Sequence, residues 1–284
     1  MRRLKDRLMT IVIASAFGLA MIPLASLLFT VVSKGLNRFD VAFFTESARG
    51  VIGEGGGASH AIVGTLVITG VATLIAVPIG LMAAIYLSEY GGESRLRKAL
   101  TFFVDVMTGI PSIVAGLFAY ALFAIFLGPG IRLGIMGSVA LSVLMIPVVV
   151  RSSEEMLKLV PNELREAAYA LGVPKWLTIL KIVIPTSLAG ITTGVTLAIA
   201  RVIGETAPLL IVAGYTASMN YNLFDDRMMT LPVFSYLQYA MQSPNAADSL
   251  DRAWAAALTL ILIVMALNLI ARLVARIFSP KLSR

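Results

Sequence analysis

From residue 61 to residue 87 not one side chain carries a charge. A bilayer core takes about 20 apolar residues of helix to cross. In hydrocarbon every backbone N–H and C=O must also be paired inside the segment. A run of this kind therefore has one good solution, a membrane-spanning helix. Five further stretches qualify or nearly qualify, so six spans are expected at residues 9–32, 61–87, 99–127, 134–150, 182–214 and 254–278. The fourth is short, and the fifth is too long for a simple perpendicular crossing. Composition agrees: 58% of the 284 residues are hydrophobic and 14% are charged, against about 25% charged in a soluble domain. The chain reads as an all-α polytopic membrane protein, with one transmembrane domain over residues 1–284.

The 23 Lys and Arg residues fix an expected orientation. Sixteen lie in the segments 1–8, 88–98, 151–181 and 271–284, all on one side of the six spans; six lie on the other side. Short cytoplasmic loops carry the basic excess, so both termini and the 151–181 loop are expected in the cytoplasm of a bacterial inner membrane. Asp225, Asp226, Asp248 and Asp251 fall on the outer side. The net charge of +7 is scattered over short loops. It forms no basic patch interleaved with aromatics, which argues against a nucleic-acid partner.

The absence of cysteine excludes disulfides and thiolate metal sites. Arg2, Arg3, Lys5 and Arg7 precede an apolar stretch long enough to span, without a convincing cleavage site, so a first span is expected rather than a cleavable signal peptide. The stretch "GEGGGASH" ends at His60, the sole histidine. No GxxxxGK[ST] phosphate loop occurs in the chain. The glycine run is read as a flexible outer loop and His60 as a solvated loop residue. No metal site and no cofactor are expected, since metal sites need several such donors.

The 161–185 loop, "PNELREAAYALGVPKWLTILKIVIP", has a definite local design. Asn162 is placed to cap a helix, and Glu163 and Glu166 suit its positive N-terminal end. Leu164, Ala167, Ala168 and Leu171 recur at helical spacing and form one apolar face. Gly172 supplies a left-handed stop, and Pro174 starts a second short helix that sets Trp176 at the membrane surface. Residues 161–176 thus give a short helix lying across the ends of the spans, with a small-residue, acidic ridge. By pattern alone this is either an amphipathic linker or a docking element.

Two charges stand inside the fifth apolar run. In "ARVIGETAPLL", Arg201 and Glu205 are one helical turn apart. A charge at a bilayer centre costs about 2.5–3.5 kcal/mol on insertion scales, so such residues face a pathway or a partner. Pro208 cannot donate to the Gly204 carbonyl, so the helix should open between Gly204 and Pro208. Broken helices near the midplane often carry transporter sites. Two readings stand. Arg201 and Glu205 form a self-neutralising salt bridge that holds helices together, or Arg201 draws an oxyanion with its fork of donors while Glu205 restrains it. Asp105, in the third span, is read as structural and near the interface. "GIPS" at 109–112 should kink that span, with Ser112 donating to a substrate or to loosened backbone. Arg151 can snorkel to the interface.

Glu166-Ala167-Ala168, Gly172 and Ile182-Val183-Ile184-Pro185 resemble the EAA loop of bacterial ABC import permeases, with Ile184 where that family usually has Leu. The resemblance implies a type I ABC importer permease fold and a coupling helix that docks into a cleft of an ATPase subunit. It also implies that the ATP site lies on a partner chain, so this chain is not itself an enzyme. "RVIGETAPLL" at 201–210, "DVMTGIPSIVAGLFAY" at 105–120 and "MTLPVFSYLQYA" at 229–240 are similar to the PstA-type permease subunits of phosphate importers, from about residue 50 to the last span. That similarity implies phosphate as substrate and a substrate path through Arg201 and Glu205. The implied partners are a PstC-like second permease, two ATP-binding cassette subunits and an extracytoplasmic phosphate-binding protein. A permease for sulfate, molybdate or phosphonate would share the EAA loop, and only the region around Arg201 argues for phosphate. An anion channel would not need the docking loop. An intramembrane enzyme would need a nucleophile–base set, and the spans hold neither His nor Cys.

Overall fold

The structure, a computed structural model, describes residues 2–50, 55–241 and 246–278. Among the described residues every regular element is helical. Five helical segments are long and apolar enough to cross a membrane: Lys5–Arg38, Ser59–Tyr90, Gly134–Lys158, Lys175–Val202 and Ala247–Leu273. A sixth crossing arises if Arg95–Thr108 and Ser112–Leu127, bent by 111° to each other, count as one.

The core is built on α3 (Ser59–Ile85) and α6 (Gly134–Lys158). Ile68, Ala72 and Ala76 of α3 meet Leu141, Met145 and Val149 of α6, all buried. The Ser138 hydroxyl donates to the Ile68 carbonyl at 3.0 Å, which satisfies a hydroxyl where no water reaches. α9 (Ile184–Val202) covers another side of α6. Small residues allow the backbones to close there: a Cβ on Gly194 would fall 2.4 Å from the Ser152 hydroxyl oxygen. α12 (Ala246–Phe278) packs on α9 and on α11 (Leu231–Ala240). α1 (Arg2–Gly35) leans on α12 near its C-terminal end and is exposed at every residue from 5 to 29. That apolar surface belongs in lipid or against another chain.

The region expected as a third span, 99–127, is two helices. α4 (Arg95–Thr108) and α5 (Ser112–Leu127) meet at 111° across Gly109–Pro111. Pro111 has no N–H to continue the ladder, and it drives Ile110 out of the helical region. The fourth helix does not stop near residue 150 but runs on to Lys158, its last turns held by the buried Leu157 and by the ion pairs of Glu154 with Arg151 and Lys158. The fifth stretch is α9, a break, and α10 (Ala207–Val212).

The glycine run is not the flexible loop that its composition suggests. Gly53 and Glu54 lie outside the described residues, but Gly56 to His60 are buried. Arg252 donates to the Gly55 carbonyl at 2.8 Å and Arg38 to the Gly56 carbonyl at 3.1 Å. These carbonyls, which no helix pairs, thus find charged donors. His60 is 2% exposed, not solvated, and stands edge-on to Phe234 at 5.5 Å. It opens α3 against the start of α11, where Thr65 accepts the Leu231 N–H at 2.7 Å.

Candidate functional site

α9 ends at Val202, and the chain turns at Ile203–Gly204 before α10 starts at Ala207. The break falls at 203–206, earlier than the expected interval from Gly204 to Pro208, and Pro208 stands at the start of α10 where its missing N–H costs nothing. Arg201 is exposed on the last turn of α9, and Glu205 is half-buried in the break. Because the helix stops between them, the expected i, i+4 pair does not form. No Arg201–Glu205 contact lies within the 4.0 Å limit of an ion pair among the described residues. Glu205 instead closes a turn, its N–H donating to the Val202 carbonyl at 3.1 Å.

The break opens on a cleft of about 360 Å³, lined in part by Gly204, Thr206, Ser235, Tyr236, Tyr239 and Trp254. On the other flank, α5 presses on the start of α10: a Cβ on Gly116 would lie 2.7 Å from the Pro208 Cα. Ser112 is the first residue of α5, one turn or about 6 Å before Gly116. It is half-buried. The break thus carries one exposed guanidinium and one partly buried carboxylate beside a cleft with hydroxyl donors, whose lining includes none of Arg201, Glu205 and Ser112.

The end that carries the 161–185 loop is held by two charge systems among the described residues. In the first, Arg151 bridges Asp105 of α4 and Glu154, the latter at 3.0 Å, and Lys158 reaches Glu154 at 2.7 Å. Arg151 is therefore clamped between acids rather than snorkelling free. The Arg151, Glu154 and Lys158 spacing on one helix face was a readable signal for this; the Asp105 partner was not. In the second, Arg165 of α7 (Asn162–Ala170) pairs with Glu89 at 2.8 Å, with side chains 13% and 5% exposed. Arg165 also donates to the carbonyls of Leu157 at 3.0 Å and Val160 at 2.5 Å. Glu89 belongs to a wide π-type turn, Tyr86–Tyr90, that ends α3. Seventy-six residues separate this pair, and no local pattern announces it.

α7 rests on the body through Arg165 and the buried Ala168. Of the expected apolar face only Ala168 is covered; Leu164, Ala167 and Leu171 are exposed, as is Glu166. The cap also differs, since Pro161 precedes the helix and the Asn162 amide oxygen accepts from Arg165 at 3.3 Å. Gly172 takes the left-handed conformation, φ 76°, and the Val173 N–H returns to the Ala168 carbonyl at 3.1 Å. That closes the helix as a glycine stop should. α8 (Lys175–Thr178) follows, with Trp176 60% exposed, and a second π-type turn, Ile179–Val183, leads into α9. This turn precedes Pro185, whose missing N–H leaves the Lys181 carbonyl without its helical donor.

Residues 76–284 match the family described as "Binding-protein-dependent transport system inner membrane component". The chain is 48% identical over 278 residues to the phosphate transport system permease protein PstA 1 of Mycobacterium tuberculosis, covering 96% of this chain and 89% of that protein. It is 42% identical over 285 residues to the phosphate transport system permease protein PstA of Pasteurella multocida, covering 100% and 97%. Among solved structures, a chain of the MetNI methionine ABC transporter in inward-facing conformations superposes with a TM-score of 0.61. The identity is 18%, over 78% of this chain and 94% of that one; the likeness is one of fold.

Proposed function

The chain belongs to the family of binding-protein-dependent transport system inner membrane components, and from that premise we propose that it is the PstA-type permease subunit of an ATP-driven phosphate importer. It is a multi-pass membrane protein with the type I ABC importer permease fold. The observation that carries the substrate is the RVIGETAPLL segment, where a helix breaks beside an exposed arginine, in a chain this similar to phosphate permeases along nearly its whole length.

The permease forms half of a pore whose other half is a PstC-like chain, with two ATP-binding cassette subunits at the α7 end and a phosphate-binding protein at the opposite end. The basic excess of the loops supports a cytoplasmic location for α7 and both termini. The ATP site belongs to the partner. Leu164, Glu166, Ala167 and Leu171 present a mixed apolar and acidic ridge to the ATPase cleft. Ala168 and Gly172 set the helix against the permease and end it, and the Glu89–Arg165 pair ties it to α3. Movement of α7 passes through α8 to α9 and thence to Arg201.

Arg201 offers the passing oxyanion a charge-assisted fork of donors. Glu205, unpaired with Arg201 in this conformation, closes on it when the anion leaves, which keeps the site from holding phosphate too tightly. Ser112 contributes a hydroxyl to the path. The test is phosphate uptake by the reconstituted four-chain complex with its binding protein, with sulfate and molybdate as competitors. Arg201→Ala should abolish uptake while the complex still assembles with its ATPase. Normal uptake by that variant would remove Arg201 from the path, and preference for sulfate or molybdate would overturn phosphate.

A further inference from the structure

The end of α6 away from the coupling loop carries a second cationic feature, separate from Arg201. Arg132 stands in the loop between α5 and α6, and Arg227 in the loop that leads to α11. Backbone hydrogen bonds fasten both loops to the end of α10. The Leu133 N–H donates to the Val212 carbonyl and the Met228 N–H to the Ala213 carbonyl, each at 3.1 Å. The Ile135 N–H donates to the Leu223 carbonyl at 2.9 Å, which joins the two loops to each other.

Gly214 closes α10 in the left-handed conformation, φ 72°, and lies between the two arginine stems. A Cβ placed there would be 3.1 Å from the Arg132 Cδ and 3.2 Å from the Arg227 Cδ. The two Cδ atoms are thus no farther apart than the sum of those distances. Both side chains line a cleft of about 340 Å³ with Leu117, Tyr120, Gly130 and Ile211. Neither guanidinium has a carboxylate within 4.0 Å among the described residues. The Asp226 carboxylate accepts the Arg227 backbone N–H at 2.7 Å through one oxygen, and the Arg227 guanidinium lies 5.7 Å from the Tyr215 ring centre. Tyr120 accepts the Gly130 N–H at 2.9 Å, which leaves its own proton free to donate.

Two like charges whose stems meet over one glycine, Arg132 half-buried and Arg227 exposed, with no carboxylate among the described residues in ion-pair contact with either, repel each other, and a bound anion relieves that repulsion. We propose that Arg132 and Arg227 form a receiving site for a small tetrahedral oxyanion at the outer mouth of the permease, occupied before the anion reaches Arg201. The identity of the oxyanion as phosphate rests on the function proposed above. Two guanidinium forks and a phenol match a tetrahedral anion with several acceptor oxygens. The six residues of α10 span about 9 Å. The receiving site caps the far end of this short helix, and the break after Arg201 precedes its near end, so one helix length separates the two cationic stations.

An acidic surface of the delivering protein would find the same arginines, and the test separates the two. In the assembled complex in nanodiscs, without binding protein, the ³¹P line of inorganic phosphate is measured for wild type, for Arg132→Gln/Arg227→Gln and for the charge-preserving Arg132→Lys/Arg227→Lys. The glutamine pair should lose most of the phosphate broadening, and the lysine pair should keep it. With saturating binding protein, uptake by the glutamine pair should fall about 30-fold, the factor for losing a charge-assisted hydrogen bond, while binding-protein-stimulated ATP hydrolysis is retained. Unchanged broadening and uptake would overturn the proposal. So would loss of the stimulated ATP hydrolysis, which assigns the arginines to docking. If the glutamine pair does not assemble, loss of broadening in the lysine pair also counts against the receiving site, because its charge is intact. If wild type gives no phosphate broadening but imports sulfate, and that sulfate uptake vanishes in the glutamine pair, the receiving site stands and the phosphate reading fails.

Discussion

Replacing Glu89 with Gln removes the negative charge that ties α7 to the pore. Arg165 keeps its charge at a position where its side chain is 13% exposed. Breaking one side of a buried pair costs about 3–5 kcal/mol when the surviving charge has no other partner. Arg165 does have others: the carbonyls of Leu157 and Val160 and the amide oxygen of Asn162. The new glutamine oxygen can also accept. The loss therefore falls toward the worth of one charge-assisted hydrogen bond, about 2 kcal/mol, which is about a 30-fold shift toward an undocked α7. Amide hydrogen exchange over residues 163–170 in the assembled complex reads this directly, as exchange about 30-fold faster than in wild type. Exchange in the core of α6 should not change. In proteoliposomes the same variant should hydrolyse ATP while importing less phosphate per ATP. Unaltered exchange across α7 would refute the reasoning, because the ion pair would then contribute nothing to seating the helix.

Gly172→Val forces a β-branched residue to φ 76°, which costs about 1–2 kcal/mol; it should unfold the end of α7 and lower uptake, seen as lost coupling with the chain still in the membrane. Gly64→Ala would set a Cβ 1.9 Å from the Met229 carbonyl oxygen, so α3 must part from the segment before α11. The yield of assembled complex and its thermal midpoint should both drop. Glu154→Gln, at a carboxylate 5% exposed between two cations, should destabilise the complex more than Asp105→Asn at 60% exposure, as thermal unfolding of the two variants would show, because exposed pairs contribute about 0–1 kcal/mol.

The spans were legible because lipid leaves a long apolar run only one way to pair its backbone. The breaks at Gly109–Pro111 and ahead of Pro208 were legible because proline acts through local covalent geometry. What could not be read was set by partners far away in the chain. Glu89 and Arg165 meet only once α3 and the loop are both in place. The glycine run looked mobile, yet Arg38 and Arg252 hold its carbonyls from opposite ends of the sequence. Helical spacing put Arg201 beside Glu205 on paper, but that inference assumed a helix that Pro208 itself had already ended. The α7 ridge was visible as a pattern; that Leu164, Ala167 and Leu171 face away from the body is a property of the packing.

α9 is stiff over its 19 residues, about 28 Å, from the wide turn before Pro185 to Val202. α10 is anchored at both ends, by Gly116 against Pro208 and by the loops bonded to Val212 and Ala213. A tilt of about 10° imposed at the α8 end would sweep Arg201 through about 5 Å while α10 stays where it is. The few residues from Ile203 to Thr206 would absorb the whole stroke. The protein is then a rod set against a fixed stop through a short non-helical joint, with the Arg201 guanidinium on the rod's side of that joint and the Glu205 carboxylate inside it.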